Sequence, residues 1–129
     1  MVLRLIDAYN SKPGTTVLVE GFACTVRSND TSKTGKHGAS KCRIEAIEIF
    51  TGKKRIVAVP GDHRFEVPMM EKKKAQVLTV LDKTASVMDL ENFETLEIEF
   101  MEELQGKLAP EMQVEYWDIE GNKMIMRIL

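Results

Sequence analysis

Lys36 stands in the run Thr34-Gly35-Lys36-His37-Gly38, whose residue types invite several kinds of chemistry. Thr34-Gly35-Lys36 matches the end of a phosphate-cradling P-loop. That motif also needs a glycine five residues before Gly35 and a Ser or Thr after Lys36, where this chain has Asp30 and His37. A strand pattern follows in place of a helix, so the nucleotide reading fails. His37 has no neighbouring carboxylate or nucleophile to work with as a general acid or base, and it reads as a polar turn residue. Ser40 has no visible triad. A metal site built from Cys24, Cys42, His37 and His63 would lack any Cys-x-x-Cys or His-x-x-x-His spacing, and the two cysteines read as buried, reduced thiols. What remains is charge. Arg27, Lys33, Lys36, Lys41 and Arg43 are set against the single acid Asp30, and Gly35 and Gly38 let the backbone pass close to a partner. A polyanion is the natural target.

The elements that must present these residues follow from periodicity. Apolar residues vanish between Asn29 and Lys41 except at Ala39, and alternation resumes in Cys24 to Arg27 and in Cys42 to Phe50. This predicts a hairpin tip thrust into solvent between two strands, whose arms of about six residues reach at most roughly 20 Å. Cys24 and Cys42, in the flanking strands, are placed to face each other across the ladder. Asn10 to Gly14 is a turn cluster and leads into the first predicted strand, Thr16 to Phe22, with Gly21 marking a bulge or a close approach. Thr51-Gly52-Lys53 closes a hairpin into Arg55 to Val59, Pro60-Gly61-Asp62 turns again, and Glu66-Val67-Pro68 is a short extended piece.

Pro68, Met69-Met70 and the charge run Glu71-Lys72-Lys73-Lys74 mark a boundary between residues 1–68 and 69–129. The lysine run reads as a solvated linker, with a phosphate-binding edge as the alternative. Ala75 to Leu81, Ala85 to Met88 and Thr95 to Phe100 follow as strands. Met101 to Leu108 is the one helical candidate, and Val114 to Ile119 with Met124 to Ile128 form a closing hairpin. Five strands with a short helix between the third and fourth suit an OB-type barrel. Phe93, Phe100, Tyr116 and Trp117 are assigned to its core, which leaves little for a base-stacking platform.

Composition sets the class. Hydrophobic residues at 43% and charged residues at 29% describe an ordinary globular chain of 129 residues and exclude disorder as its organising state. The opening residues carry no apolar run long enough for a signal sequence or a membrane span, which predicts a cytoplasmic protein without a membrane partner. The formal charge of -2 conceals an asymmetry: residues 1–68 hold eleven Lys and Arg against seven Asp and Glu, a net of +4, while residues 69–129 net -6. A nucleic-acid contact would therefore be led by the first half.

Ser32-Lys33-Thr34-Gly35-Lys36-His37-Gly38, continued by Lys41 and Arg43-Ile44-Glu45-Ala46-Ile47, closely resembles the translation factor 5A family of archaea and eukaryotes, the relative of bacterial elongation factor P. The likeness runs on through Val67-Pro68, Lys72-Lys73, Ala75-Gln76-Val77 and Val114-Glu115-Tyr116-Trp117. Ala39-Ser40 stands where eukaryotic relatives usually have His-Ala, and no longer N-terminal extension precedes Met1, so the resemblance is to an archaeal-type member.

The resemblance implies an all-β protein: an SH3-like barrel over residues 1–68, carrying the loop, and an OB barrel over 69–129 with one short helix. It implies that deoxyhypusine synthase transfers an aminobutyl group from spermidine onto Lys36, within the modification loop of Lys33, Thr34, Gly35, His37 and Gly38. A hydroxylase completes hypusine in some lineages, and no separate cofactor is implied. It further implies binding to the ribosome beside the peptidyl-tRNA, and relief of stalling at sequences such as consecutive prolines. Arg27, Lys33, Lys41 and Arg43 would then lie on ribosomal or transfer RNA, and the chain would be no enzyme itself. The alternative is a general single-strand RNA-binding or chaperone module in which the OB half dominates.

Overall fold

The computed structural model describes residues 4–34 and 39–129. The chain divides into two compact units, Met1–Pro68 and Met69–Leu129. Among the described residues no helix is long and apolar enough to cross a membrane.

The first unit contains β1 (Arg4–Asp7), β2 (Thr16–Val19), β3 (Phe22–Thr34), β4 (Ala39–Glu48), β5 (Lys54–Pro60) and β6 (Arg64–Val67). The strands β2, β3, β4 and β5 form one antiparallel sheet in that order, and β1 pairs with β6. Alternation puts Val17, Val19, Cys24, Val26, Cys42, Ile44 and Ala46 on the inner face, where they share a core with Ala8 and Phe65 in an SH3-like arrangement. The expected strand Thr16 to Phe22 is in fact two strands. Glu20 and Gly21 have φ of 52° and 88°, and positive φ at both central residues is what a two-residue turn between right-twisted strands demands, so Gly21 serves a turn and not a bulge. A strand also precedes the one expected first, because Arg4–Asp7 finds a partner distant in sequence. Cys24 and Cys42 are both buried and free, but they do not face each other: Cys24 stands opposite Glu48 and Cys42 opposite Thr31.

The second unit contains β7 (Met70–Val80), β8 (Thr84–Asp89), β9 (Thr95–Phe100), β10 (Gln113–Ile119) and β11 (Asn122–Ile128). These close into a barrel in the order β10-β11-β9-β8-β7, with β11 parallel to β9 and β10 returning to β7. This is the connectivity of an OB barrel. The lysine run is no linker: Glu71 to Lys74 lie within β7 and pair with Asp118 to Glu115 of β10. The helix expected over Met101 to Leu108 shrinks to a single 3-10 turn, Glu102–Leu104. Gly106 at φ 77° and Pro110 leave too few residues to offset the cost of nucleation. Tyr116 and Phe100 belong to the core, but Phe93 is 69% exposed at φ 61°, and Trp117 is only half-buried on the outer face. The fully buried Asp89 accepts the Glu91 and Asn92 N–H groups at Oδ1, 2.8 and 3.2 Å, and the Tyr116 hydroxyl at Oδ2.

Candidate nucleic-acid interface on the long hairpin

The feature that stands out in the first unit is the β3–β4 ladder. β2 pairs with β3 only as far as Thr25, and β5 covers β4 only as far as Lys41. The β3–β4 pairing itself continues to Thr34 opposite Ala39. From Ser28 to Thr34 β3 therefore extends about 20 Å beyond its bulge, at about 3.4 Å per residue. Ser, Asn, Lys and Asp are poor material for a buried strand, and they suit one with an open flank: β2 has left β3 by then, while β5 still flanks β4 as far as Lys41.

Gly35, Lys36, His37 and Gly38 lie outside the described residues, and Lys33 and Thr34 are placed only by register, opposite Ser40 and Ala39. The remaining candidates are on the ladder. Arg27 sits at the bulge between Val26 and Ser28, where it has no rung partner, and it is exposed. A bulge re-aims a side chain without breaking the strand. Lys41 and Arg43 are two apart on the outward face of β4, alternating with buried Cys42 and Ile44. Arg43 is not a free cation: its Nη1 lies 3.5 Å from Glu45 Oε1, and Lys54 Nζ reaches the same oxygen at 3.4 Å. Counting charges only between Arg27 and Arg43 missed Glu45, because the next outward residue on a strand lies two positions on. Lys41 has no acid partner among the described residues.

Sequence reasoning also missed what ties the hairpin to the rest of the unit. Asn29 Nδ2 donates to the carbonyls of Ala8 and Ser11 at 2.8 and 2.9 Å, tying β3 to residues near the start of the chain. On the β4 side, Gly61 N–H donates to Ser40 O at 2.9 Å, and a Cβ on Gly61 would meet Ser40 Oγ at 2.6 Å. No local signal marked the Asn29 tie, because that residue falls at the start of the expected hairpin tip, where an asparagine is ordinary. Asn29→Ala is expected to lower stability by about 1–2 kcal/mol, the worth of two buried bonds less the relief of a desolvated acceptor. The relieved acceptor is Oδ1, which is buried without a partner among the described residues. Thermal unfolding at neutral pH checks this, and an unchanged midpoint would refute the strap.

Around β5 the sheet holds a second charged cluster. Buried Glu48 accepts Thr51 Oγ1 at 2.8 Å and Arg55 Nε at 2.6 Å. Arg55 also reaches Glu20 at 2.8 Å and lies 4.0 Å over the Phe22 ring. The Thr51 hydroxyl, together with Arg55 and against the effect of burial, holds the Glu48 carboxyl below its usual range. Every member of this cluster is engaged, so it stabilises the sheet and offers nothing to a ligand. Among the described residues no group of His, Cys, Asp and Glu is arranged to hold a metal. His63 instead packs edge-on against Phe65, with centroids 4.8 Å apart.

Comparison with known proteins bears on the whole chain. Residues 5–63 match a family model described as translation initiation factor 5A-like, N-terminal. Translation initiation factor 5A of Caldivirga maquilingensis is 42% identical over 130 residues, covering 98% of each chain. That of Sulfurisphaera tokodaii is also 42% identical, covering 99% of each. Among solved structures, eukaryotic translation initiation factor 5A from Methanococcus jannaschii superposes with a TM-score of 0.85 at 33% identity over the full length of both chains. A translation initiation factor eif-5a family protein from Naegleria fowleri does so at 0.77 and 27%, covering 99% of each. With end-to-end identity at this level, and an SH3-like unit followed by an OB barrel, this chain belongs to the translation initiation factor 5A family.

Proposed function

We propose that this translation factor binds the ribosome beside the peptidyl-tRNA and promotes peptide-bond formation at stalled sequences such as consecutive prolines, through a modified Lys36. The observation that carries the reading is the β3–β4 ladder, which persists to Thr34 opposite Ala39 and leaves only Gly35 to Gly38 to join the two arms. Lys36 lies in sequence between the ends of those two arms. Arg27, Lys33, Lys41 and Arg43 would contact RNA phosphates, which fixes position without reading sequence.

Deoxyhypusine synthase would prepare Lys36. A C–N bond of spermidine breaks, a new C–N bond forms to the Lys36 amine, and diaminopropane leaves with the displaced proton. The product is a longer side chain with a second cationic nitrogen. Such a side chain can settle the acceptor end of the tRNA into a reactive orientation, which is assistance by positioning and not chemical catalysis.

The general single-strand RNA reading of the OB unit has less support. The β8–β9 face, by which OB barrels ordinarily take single strands, exposes Glu97 and Glu99 opposite Ser86 and Thr84. Phosphates would be repelled there. The test of the proposed function is intact-mass and peptide mapping of protein from its native host. An aminobutyl increment confined to the peptide containing Lys36 is expected, and an unaltered lysine there would sink the reading.

A further inference from the structure

We infer that the second unit makes its own RNA contact on the outward face of β7, β10 and β11, where Lys72 and Lys74 take phosphates and Trp117 takes a base. The lysine run that resembled a linker is a strand, so its residues alternate. Lys72 stands opposite Trp117 and Lys74 opposite Glu115, while Arg127 and Met124 continue the two rows on β11.

The acids of this region are already occupied. Glu115 is held bidentately by Arg127, whose Nε and Nη2 donate at 3.1 and 3.2 Å. Lys123 lies 3.9 Å from Asp118, and Lys73 lies 3.6 Å from Glu71. Lys72 and Lys74 are exposed and have no acid partner among the described residues. In a unit whose net charge is -6, two unmatched cations on one face, with Glu97 and Glu99 on another, amount to charge segregation. Electrostatic complementarity then selects a polyanion for this face.

Trp117 supplies the second requirement. Its indole N–H donates to Glu115 Oε1 at 3.0 Å, which fixes the ring, and Lys72 Nζ covers the ring at 4.6 Å from its centroid. A base can replace the ammonium on the ring while Lys72 swings onto the adjoining phosphate, so stacking and a phosphate contact take the place of the cation–π contact. The inference does not depend on Lys36 or on the hairpin.

Trp117 is the only tryptophan of the chain, so its fluorescence reports this face. The titration uses the full chain carrying Lys41→Glu and Arg43→Glu, to silence the hairpin, and an oligoadenylate RNA of about ten nucleotides at low salt. Saturable quenching is expected. Adding Lys72→Gln and Lys74→Gln should weaken binding at least tenfold and reduce the salt slope by about 1.4, two phosphate contacts at about 0.7 each for single strands. Anisotropy of labelled RNA repeats the comparison without using the indole, and retained thermal unfolding shows that the variants are folded. Binding that is indifferent to both lysines overturns the inference. So does binding that strengthens only with Glu97→Gln and Glu99→Gln, which would place RNA on β8–β9, and so does equal quenching by polyglutamate, which would make the partner an acidic protein. An unmodified Lys36 would sink the hairpin reading and leave this one standing.

Discussion

Lys36→Arg is expected to abolish support for translation through a run of prolines while leaving bulk RNA affinity within about twofold. Arginine keeps one positive charge at that position, but its guanidinium is a different nucleophile with a different shape and does not accept the aminobutyl group. In a reconstituted system the rate on a stalling reporter should fall at least tenfold, a rise of about 1.4 kcal/mol in the barrier that the modified side chain otherwise lowers. Affinity for RNA, in contrast, is spread over several cations, each changing the salt slope by about one unit or less. Arg43→Glu should show the opposite profile. It removes a cation and leaves Glu45 paired only with Lys54, at 3.4 Å, so affinity and salt slope both fall while Lys36 remains open to modification. If Lys36→Arg retained full activity on the reporter, the positive charge alone would suffice and the aminobutyl proposal would fail.

What could be read from the residues follows from how local each determinant is. The alternation of Cys42 to Glu48 with its buried partners, and the turn at Glu120-Gly121, are written within a few residues, so the β character of the chain was visible, although the turn at Glu20-Gly21 read as a bulge or a close approach inside one strand. Three features were not. β1 exists because Arg4–Asp7 pairs with Arg64–Val67, a partner some sixty residues away that no window contains. Glu71 to Lys74 read as a solvated run because their own residue types say nothing of β10, whose pairing turns them into a strand. Trp117 and Phe93 were assigned to a core by hydrophobicity. The register of β10 gives the inner position to Tyr116 and the outer one to Trp117, and a one-residue difference decides the face. The hairpin's charge was legible and its compensation was not: Glu45 and Lys54 meet only because β4 and β5 are neighbours. Asn29 read as an ordinary residue of the hairpin tip, because its two carbonyl partners belong to a turn eighteen and more residues earlier.

The second large effect concerns Asp89 and Tyr116, the buried polar pair of the OB barrel. Burial alone would push the Asp89 carboxyl up, but the Tyr116 hydroxyl and the N–H groups of Glu91 and Asn92 outweigh it and hold the group below its ordinary range. The folded state therefore binds this proton more weakly than the unfolded chain. The resulting stability is fully present above the unfolded value of about 3.9 and is lost as pH falls through the lower folded value. For Tyr116 the signs reverse. Burial first, and then the Asp89 carboxylate, raise its phenol well above the usual range, so its contribution is present below about pH 10 and is lost as pH rises through the folded value. Asp89→Ala leaves a buried hydroxyl and two turn N–H groups without an acceptor and should cost about 2–4 kcal/mol at neutral pH. Tyr116→Phe removes one charge-assisted bond and should cost about 1.5–3 kcal/mol. In a unit of this size each kcal/mol lowers the midpoint by about 4–8 °C, and Trp117 fluorescence reads this unit alone. Because both substitutions remove the same bond, the double variant should cost clearly less than the two singles added together. The gap between wild type and Asp89→Ala should also narrow as the pH is lowered below the carboxylate range. A gap that stays constant through acid would mean that the Asp89 carboxyl binds its proton equally well folded and unfolded, and a gap that widens would mean that it is neutral in the folded barrel; either result would sink the charge-assisted pair.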